Sequence, residues 1–114
     1  MEGYTLNAEM KRLTNVLNSS IEKMYENGKN KALCERNYDV AIAKKTYELK
    51  DTMSMAQIDK VIKGEPEVAD AKEKFRLAEV LYDVGREKIM AVKKQLDIVH
   101  SQWQYEWANS GRKS

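Results

Sequence analysis

The chain has 114 residues, 33% charged and 42% hydrophobic, with twenty basic against eighteen acidic side chains and a net charge of +2. That length suits one domain, and a profile with one Pro and five Gly favours long amphipathic helices over a sheet. The single cysteine, Cys34, excludes an intrachain disulfide and a multi-cysteine zinc site.

The first predicted element carries Leu6, Met10, Leu13, Leu17, Ile21 and Met24 at helical spacing. Asn27-Gly28-Lys29-Asn30 then weakens the pattern, since Gly inside a helix costs about 1 kcal/mol relative to Ala. The stripe resumes with Ala32, Tyr38, Ala41, Ile42 and Leu49. Strong helix formers flank the Asn-Gly step and no Pro follows, so one long helix over about 6–50 is expected rather than two. Next, Ser54-Met55-Ala56-Gln57 fits a capping box, in which the Ser hydroxyl and the Gln side chain each satisfy a free backbone N–H. A short helix over about 55–63 follows, with Gly64 as its stop.

The last element is the most regular. Val68, Ala71, Phe75, Ala78, Tyr82, Gly85, Ile89, Val92, Leu96, Val99 and Trp103 alternate steps of three and four, the a/d pattern of a heptad repeat. Pro66 suits the first helical position, Glu67 and Asp70 suit the positive end of the helix dipole, and Asn109-Ser110-Gly111 reads as a stop. The predicted helix spans about 66–109. Two helices of about 65 Å joined by a short connector predict an all-α, long antiparallel hairpin within one domain of residues 1–114. On that register position 32 lies near 85, and Gly28 and Gly85 fall at about the same level, where a kink or close helix approach is expected. Leu77, Val80, Leu81, Val84 and Ile98 lie off the seam. That surplus apolar surface predicts a homodimer that completes a helical bundle.

Catalysis is not expected. The hairpin register separates Cys34 from His100, the only histidine, by about 25 Å. Asp97-x-x-His100 is a lone copy of a motif that bundle metal sites use in pairs. No glycine-rich phosphate loop is present. No cofactor, metal or small-molecule substrate is therefore expected. The polar start of the chain and the lack of a run of about 18 apolar residues predict a cytoplasmic protein with no membrane span.

Two binding surfaces remain. Tyr4, Trp103, Tyr105 and Trp107 gather at the open end of the hairpin, and Trp and Tyr are the types that anchor protein partners or self-association. Lys29, Lys31 and Arg36 on the first helix, with Arg86, Lys88, Lys93 and Lys94 on the last, are candidate phosphate contacts for nucleic acid. Lys44 and Lys45 with Lys72 and Lys74 form a second such group. Acidic neighbours, Glu26, Glu35, Asp83 and Glu87, also fit these residues to an ordinary solvated face.

The stretch Glu35-Arg36-Asn37-Tyr38-Asp39-Val40-Ala41-Ile42-Ala43-Lys44, then Ile62-Lys63-Gly64, then Phe75-Arg76-Leu77-Ala78-Glu79-Val80-Leu81-Tyr82 resembles small helical proteins of phages and prophages of Gram-positive bacteria. The resemblance covers most of the chain. It implies an accessory role in DNA metabolism or a binder directed at a host or defence protein, and it assigns no functional residues. The expected function is a non-catalytic interaction protein that modulates or inhibits a host, defence or phage nucleic-acid enzyme. The alternative is a nucleic-acid-binding accessory of replication or recombination.

Overall fold

A computed structural model describes the backbone of residues 3–113 and the side chains of residues 5–109. The fold is all-α: α1 spans Gly3–Leu49, α2 spans Met55–Val61 and runs into a 3-10 turn at Ile62–Gly64, and α3 spans Pro66–Lys113. No strand occurs among the described residues. The α1 helix is unbroken through Asn27-Gly28. The α3 helix runs through Asn109-Ser110-Gly111 to Lys113 rather than stopping at 109, because Asn and Gly lower helix propensity without blocking the backbone as Pro does. The predicted connector helix over 55–63 ends as α-helix at Val61 and tightens into the 3-10 turn.

The capping box forms. Ser54 Oγ accepts from the Gln57 backbone N–H at 3.3 Å, and Gln57 Oε1 accepts from the Ser54 N–H at 3.0 Å. The α2 helix has only seven residues, too short to hold itself in water, so this cap and the burial of Ile58 decide its position.

The structure groups the chain into two compact units. The terminal unit comprises Met1–Tyr25 and Val84–Ser114; the connector unit comprises Glu26–Asp83. In the terminal unit, Leu6, Leu13, Val92 and Val99 form the buried cluster, with Met10, Val16, Leu17, Leu96 and Trp103 packed around it. In the connector unit, Ile58 and Ile62 of the connector join Val68 of α3, and Tyr38, Ala41, Ile42, Leu49 and Met53 pack against them.

The predicted α3 seam is present residue for residue: each of its eleven positions from Val68 to Trp103 is buried or half-buried. The α1 seam keeps Leu6, Met10, Leu13, Leu17, Met24, Tyr38 and Ala41 of the predicted stripe, but Ile21 and Ala32 are exposed; Ser20 is buried and Asn27, Lys31, Cys34 and Lys45 are half-buried in their place. From Leu6 to Lys45 these positions keep the alternating three-and-four spacing, so α1 is a continuous heptad helix whose middle seam is polar.

That polar middle is packed and specific. Gly28 faces Tyr82: a Cβ there would stand 3.4 Å from the ring. Lys31 Nζ lies 4.8 Å from the centre of the same ring, a cation–π contact. Tyr38 meets Phe75 with ring centres 6.2 Å apart. Lys45 pairs with Glu48 at 3.3 Å and Glu65 at 3.6 Å. The hydrogen bond to Glu48, with the nearby carboxylates of Glu65 and Glu67, raises the Lys45 pKa above the ordinary lysine value.

Candidate interaction surfaces

The aromatic end belongs to the terminal unit. Trp103 sits on the seam, half-buried and packed against the buried cluster. Trp107, one turn on, lies parallel to it, ring centres 5.9 Å apart and planes at 10°. That stack fixes the Trp107 indole while leaving it 70% exposed. Tyr105 is also 70% exposed and lines a shallow depression of about 290 Å³ with Ser101, Gln102 and Glu106. Tyr4 lies outside the described side chains.

The terminal unit also holds a groove of about 560 Å³ lined by Arg12, Asn15, Val16, Ser19, Ser20, Lys23, Gly85 and Lys88. Arg12 Nε donates to Glu9 Oε2 at 3.0 Å; that hydrogen bond holds the Glu9 carboxyl below its ordinary value and raises the guanidinium. Ser20 is 7% exposed and its hydroxyl has no hydrogen-bond partner. Thr14 and Ser19, by contrast, each donate to the carbonyl four residues back. Sequence reasoning included Lys88 among its basic residues but missed the groove, because Ser20 and Gly85 carry no apolar or charged signal.

The other basic residues divide between the units. Lys29, Lys31 and Arg36 belong to the connector unit, and Arg86, Lys88, Lys93 and Lys94 to the terminal unit. Lys29 pairs with Glu26 at 3.5 Å and Lys31 is held over Tyr82, whereas Arg36 is exposed. Arg86 and Lys93, seven residues apart, share one side of α3, while Lys88 lines the groove. In the connector unit Lys45 is held by Glu48 and Glu65, Lys72 is half-buried, and Lys44 and Lys74 are exposed.

The connector unit presents an apolar surface that the sequence marked only on α3. Leu77, Val80 and Leu81 of α3 and Leu33, Val40 and Tyr47 of α1 are each more than half exposed. The α1 residues recur every seven positions, which puts them on one line along the helix. In the terminal unit Val84 and Ile98 are likewise more than half exposed.

Among the described residues no three His, Cys, Asp or Glu side chains stand together as a metal site, and no helix is long and apolar enough to cross a membrane. Cys34 is half-buried in the connector unit, its thiol 3.8 Å from Asn30 Oδ1. His100 is exposed in the terminal unit. No family model, curated protein or solved structure matches the chain.

Proposed function

We propose that this chain is a non-catalytic interaction protein that binds a protein partner through the aromatic end of α3, with Trp107 and Tyr105 as anchors. The observation that carries the reading is the Trp103–Trp107 stack. It leaves a large aromatic surface both exposed and fixed, so binding loses little side-chain freedom. The resemblance to small phage and prophage proteins directs the search to host, defence or phage nucleic-acid enzymes, which such a binder modulates or inhibits in the cytoplasm.

The test is capture of partners from a Gram-positive host lysate by wild type and by Trp107→Ala, with helicity followed by circular dichroism. The expected result is a nucleic-acid enzyme retained by wild type and lost from the variant at unchanged helicity. Equal retention by both proteins would remove the aromatic end from the account.

A nucleic-acid accessory role is the second reading, and the basic groove of the terminal unit favours it. Lys23 and Lys88 are among the residues that line it, and phosphate contacts there would give an affinity that falls steeply with salt. Binding of a DNA oligonucleotide that weakens with salt, and again in Lys23→Glu with Lys88→Glu, would put this reading first. Salt-independent or absent DNA binding would discard it.

A further inference from the structure

The apolar surface of the connector unit has a charge pattern that matches itself. In α1 the seam positions a and d include Lys31 and Tyr38 (a) and Cys34 and Ala41 (d); Leu33, Val40 and Tyr47 are then c positions, and Asn37 and Lys44 are g positions. In α3, with Phe75 at a and Ala78 at d, Leu77 is c, Val80 is f and Leu81 is g. In an antiparallel pair the g positions of both helices flank one side of the seam and the e positions flank the other. Burial agrees: Ile42, Leu49, Lys72 and Glu79 at e are half-buried, while Asn37, Lys44, Lys74 and Leu81 at g are exposed. The Leu33–Val40–Tyr47 line of α1 and Leu77 and Leu81 of α3 therefore open on the same side of this unit, with Val80 at the outer rim of α3.

The two halves of that side differ in sign. Lys44 at g marks the α1 half, with Arg36 and Lys50 at f on the outer rim of the helix; Glu67 at g and Asp70 at c mark the α3 half, with Glu73 at f on its outer rim, interrupted by Lys74 at g. None of Arg36, Lys44, Asp70 and Glu73 makes an ion pair among the described residues. Lys45 reaches Glu65, and Tyr38 meets Phe75, so Lys44 and Asp70 stand at about the same level along the unit.

We propose that this face is covered by the same face of a second copy of the chain, about a two-fold axis parallel to the helices. That axis lays α1 of each copy against α3 of the other. Leu33 then meets the level of Leu77 and Leu81, and the basic half meets the acidic half twice. A two-fold perpendicular to the helices would instead place α1 on α1, base against base and acid against acid. Large apolar side chains gathered more than half exposed on one face mark an interaction surface, and its own charge complement singles out a second copy as the occupant. The proposal does not rest on Tyr105 or Trp107.

The test is sedimentation equilibrium of the full chain and of two exposed-edge variants, Arg36→Glu with Lys44→Glu and Asp70→Lys with Glu73→Lys. The wild type is expected to be a dimer at micromolar concentration. Each variant alone should dimerise about tenfold more weakly, because each sets like charges against each other on both edges. An equimolar mixture should regain wild-type affinity, since the acidic α1 of one variant then faces the basic α3 of the other. Within one chain the mixture restores nothing, so recovery is specific to contact between copies. A monomeric wild type would overturn the proposal and leave the face to a different protein. Variants that associate as tightly as wild type would overturn it in favour of α1 on α1, and a mixture no tighter than its components would show that the charges act within one chain.

Discussion

The terminal and connector units use the same helix pairing to build different interiors. In the terminal unit α1 supplies Leu6, Met10, Leu13 and Leu17, and α3 answers with Val92, Leu96, Val99 and Trp103. In the connector unit α1 supplies Asn27, Lys31 and Cys34 to the seam, and the fully buried side chains are Ile58 of the connector and Val68 of α3. The heptad spacing fixes where a helix touches its neighbour; it does not require that the residues there be apolar. Where α1 is polar inside, from Asn27 to Cys34, Leu33 faces outward; Val40 and Tyr47 continue that outward line past Tyr38 and Ala41, which pack inward. Polar seam positions of this kind favour one register over others at some loss of stability.

The largest expected contrast comes from truncating one leucine in each setting. Leu13→Ala removes a side chain that is 2% exposed and should lower unfolding free energy by about 3 kcal/mol, through lost burial and the cavity left behind. Leu33→Ala, at a position 53% exposed, should change the monomer's stability by no more than about 0.5 kcal/mol. Urea titrations at low protein concentration would measure both, and similar losses would erase the distinction between the units.

Ser20 is the polar exception on the terminal seam. Its buried hydroxyl lacks a partner, so Ser20→Ala should stabilise the protein by about 1 kcal/mol. A destabilised variant would mean that the hydroxyl is satisfied in solution. Next in size is the connector: Ser54→Ala removes the α2 cap and should cost about 1 kcal/mol. Faster hydrogen exchange at Met55–Val61 is the local readout, and unchanged exchange there would show that Ile58 burial alone holds α2. The smallest effect is expected at Gly28. A Cβ at 3.4 Å from Tyr82 is tolerable, and Ala improves on Gly in a helix, so Gly28→Ala should raise stability by under about 1 kcal/mol. A loss would show that Tyr82 needs the space.

These contrasts bear on how legible the sequence is. The α3 seam could be read in full because an apolar, small or aromatic residue stands at every a and d position from Val68 to Trp103. The first three turns of α1 were equally clear. Beyond Leu17 hydrophobicity places Met24, Tyr38, Ala41, Ile42 and Leu49 but misleads at two positions: Ile21 and Ala32 look like seam residues and are exposed, while Ser20, Asn27, Lys31 and Cys34 hold the seam. Extending the three-and-four spacing from Leu17, whatever the residue type, would have found them. The seven-residue recurrence of Leu33, Val40 and Tyr47 is likewise present in the sequence, but it runs beside the stripe of Tyr38, Ala41, Ile42 and Leu49, and apolar character alone does not tell the outer line from the inner one. The exposed Tyr105 followed from its place off the seam. The stack that fixes Trp107 and the groove over Ser20 depend on side-chain geometry that spacing does not encode.

The central placement is the stretch of α1 from Asn27 to Cys34, where Asn27, Lys31 and Cys34 turn inward and Leu33 outward. Cys34 offers a direct probe, because it lies on the seam while Ala32 is exposed. The measurement is the rate of thiol modification of wild type against the variant Ala32→Cys with Cys34→Ser, at low protein concentration. The account predicts that Cys34 reacts several-fold more slowly than the thiol at position 32. Equal rates, or a faster reaction at Cys34, would contradict the polar seam and the outward apolar face that follows from it.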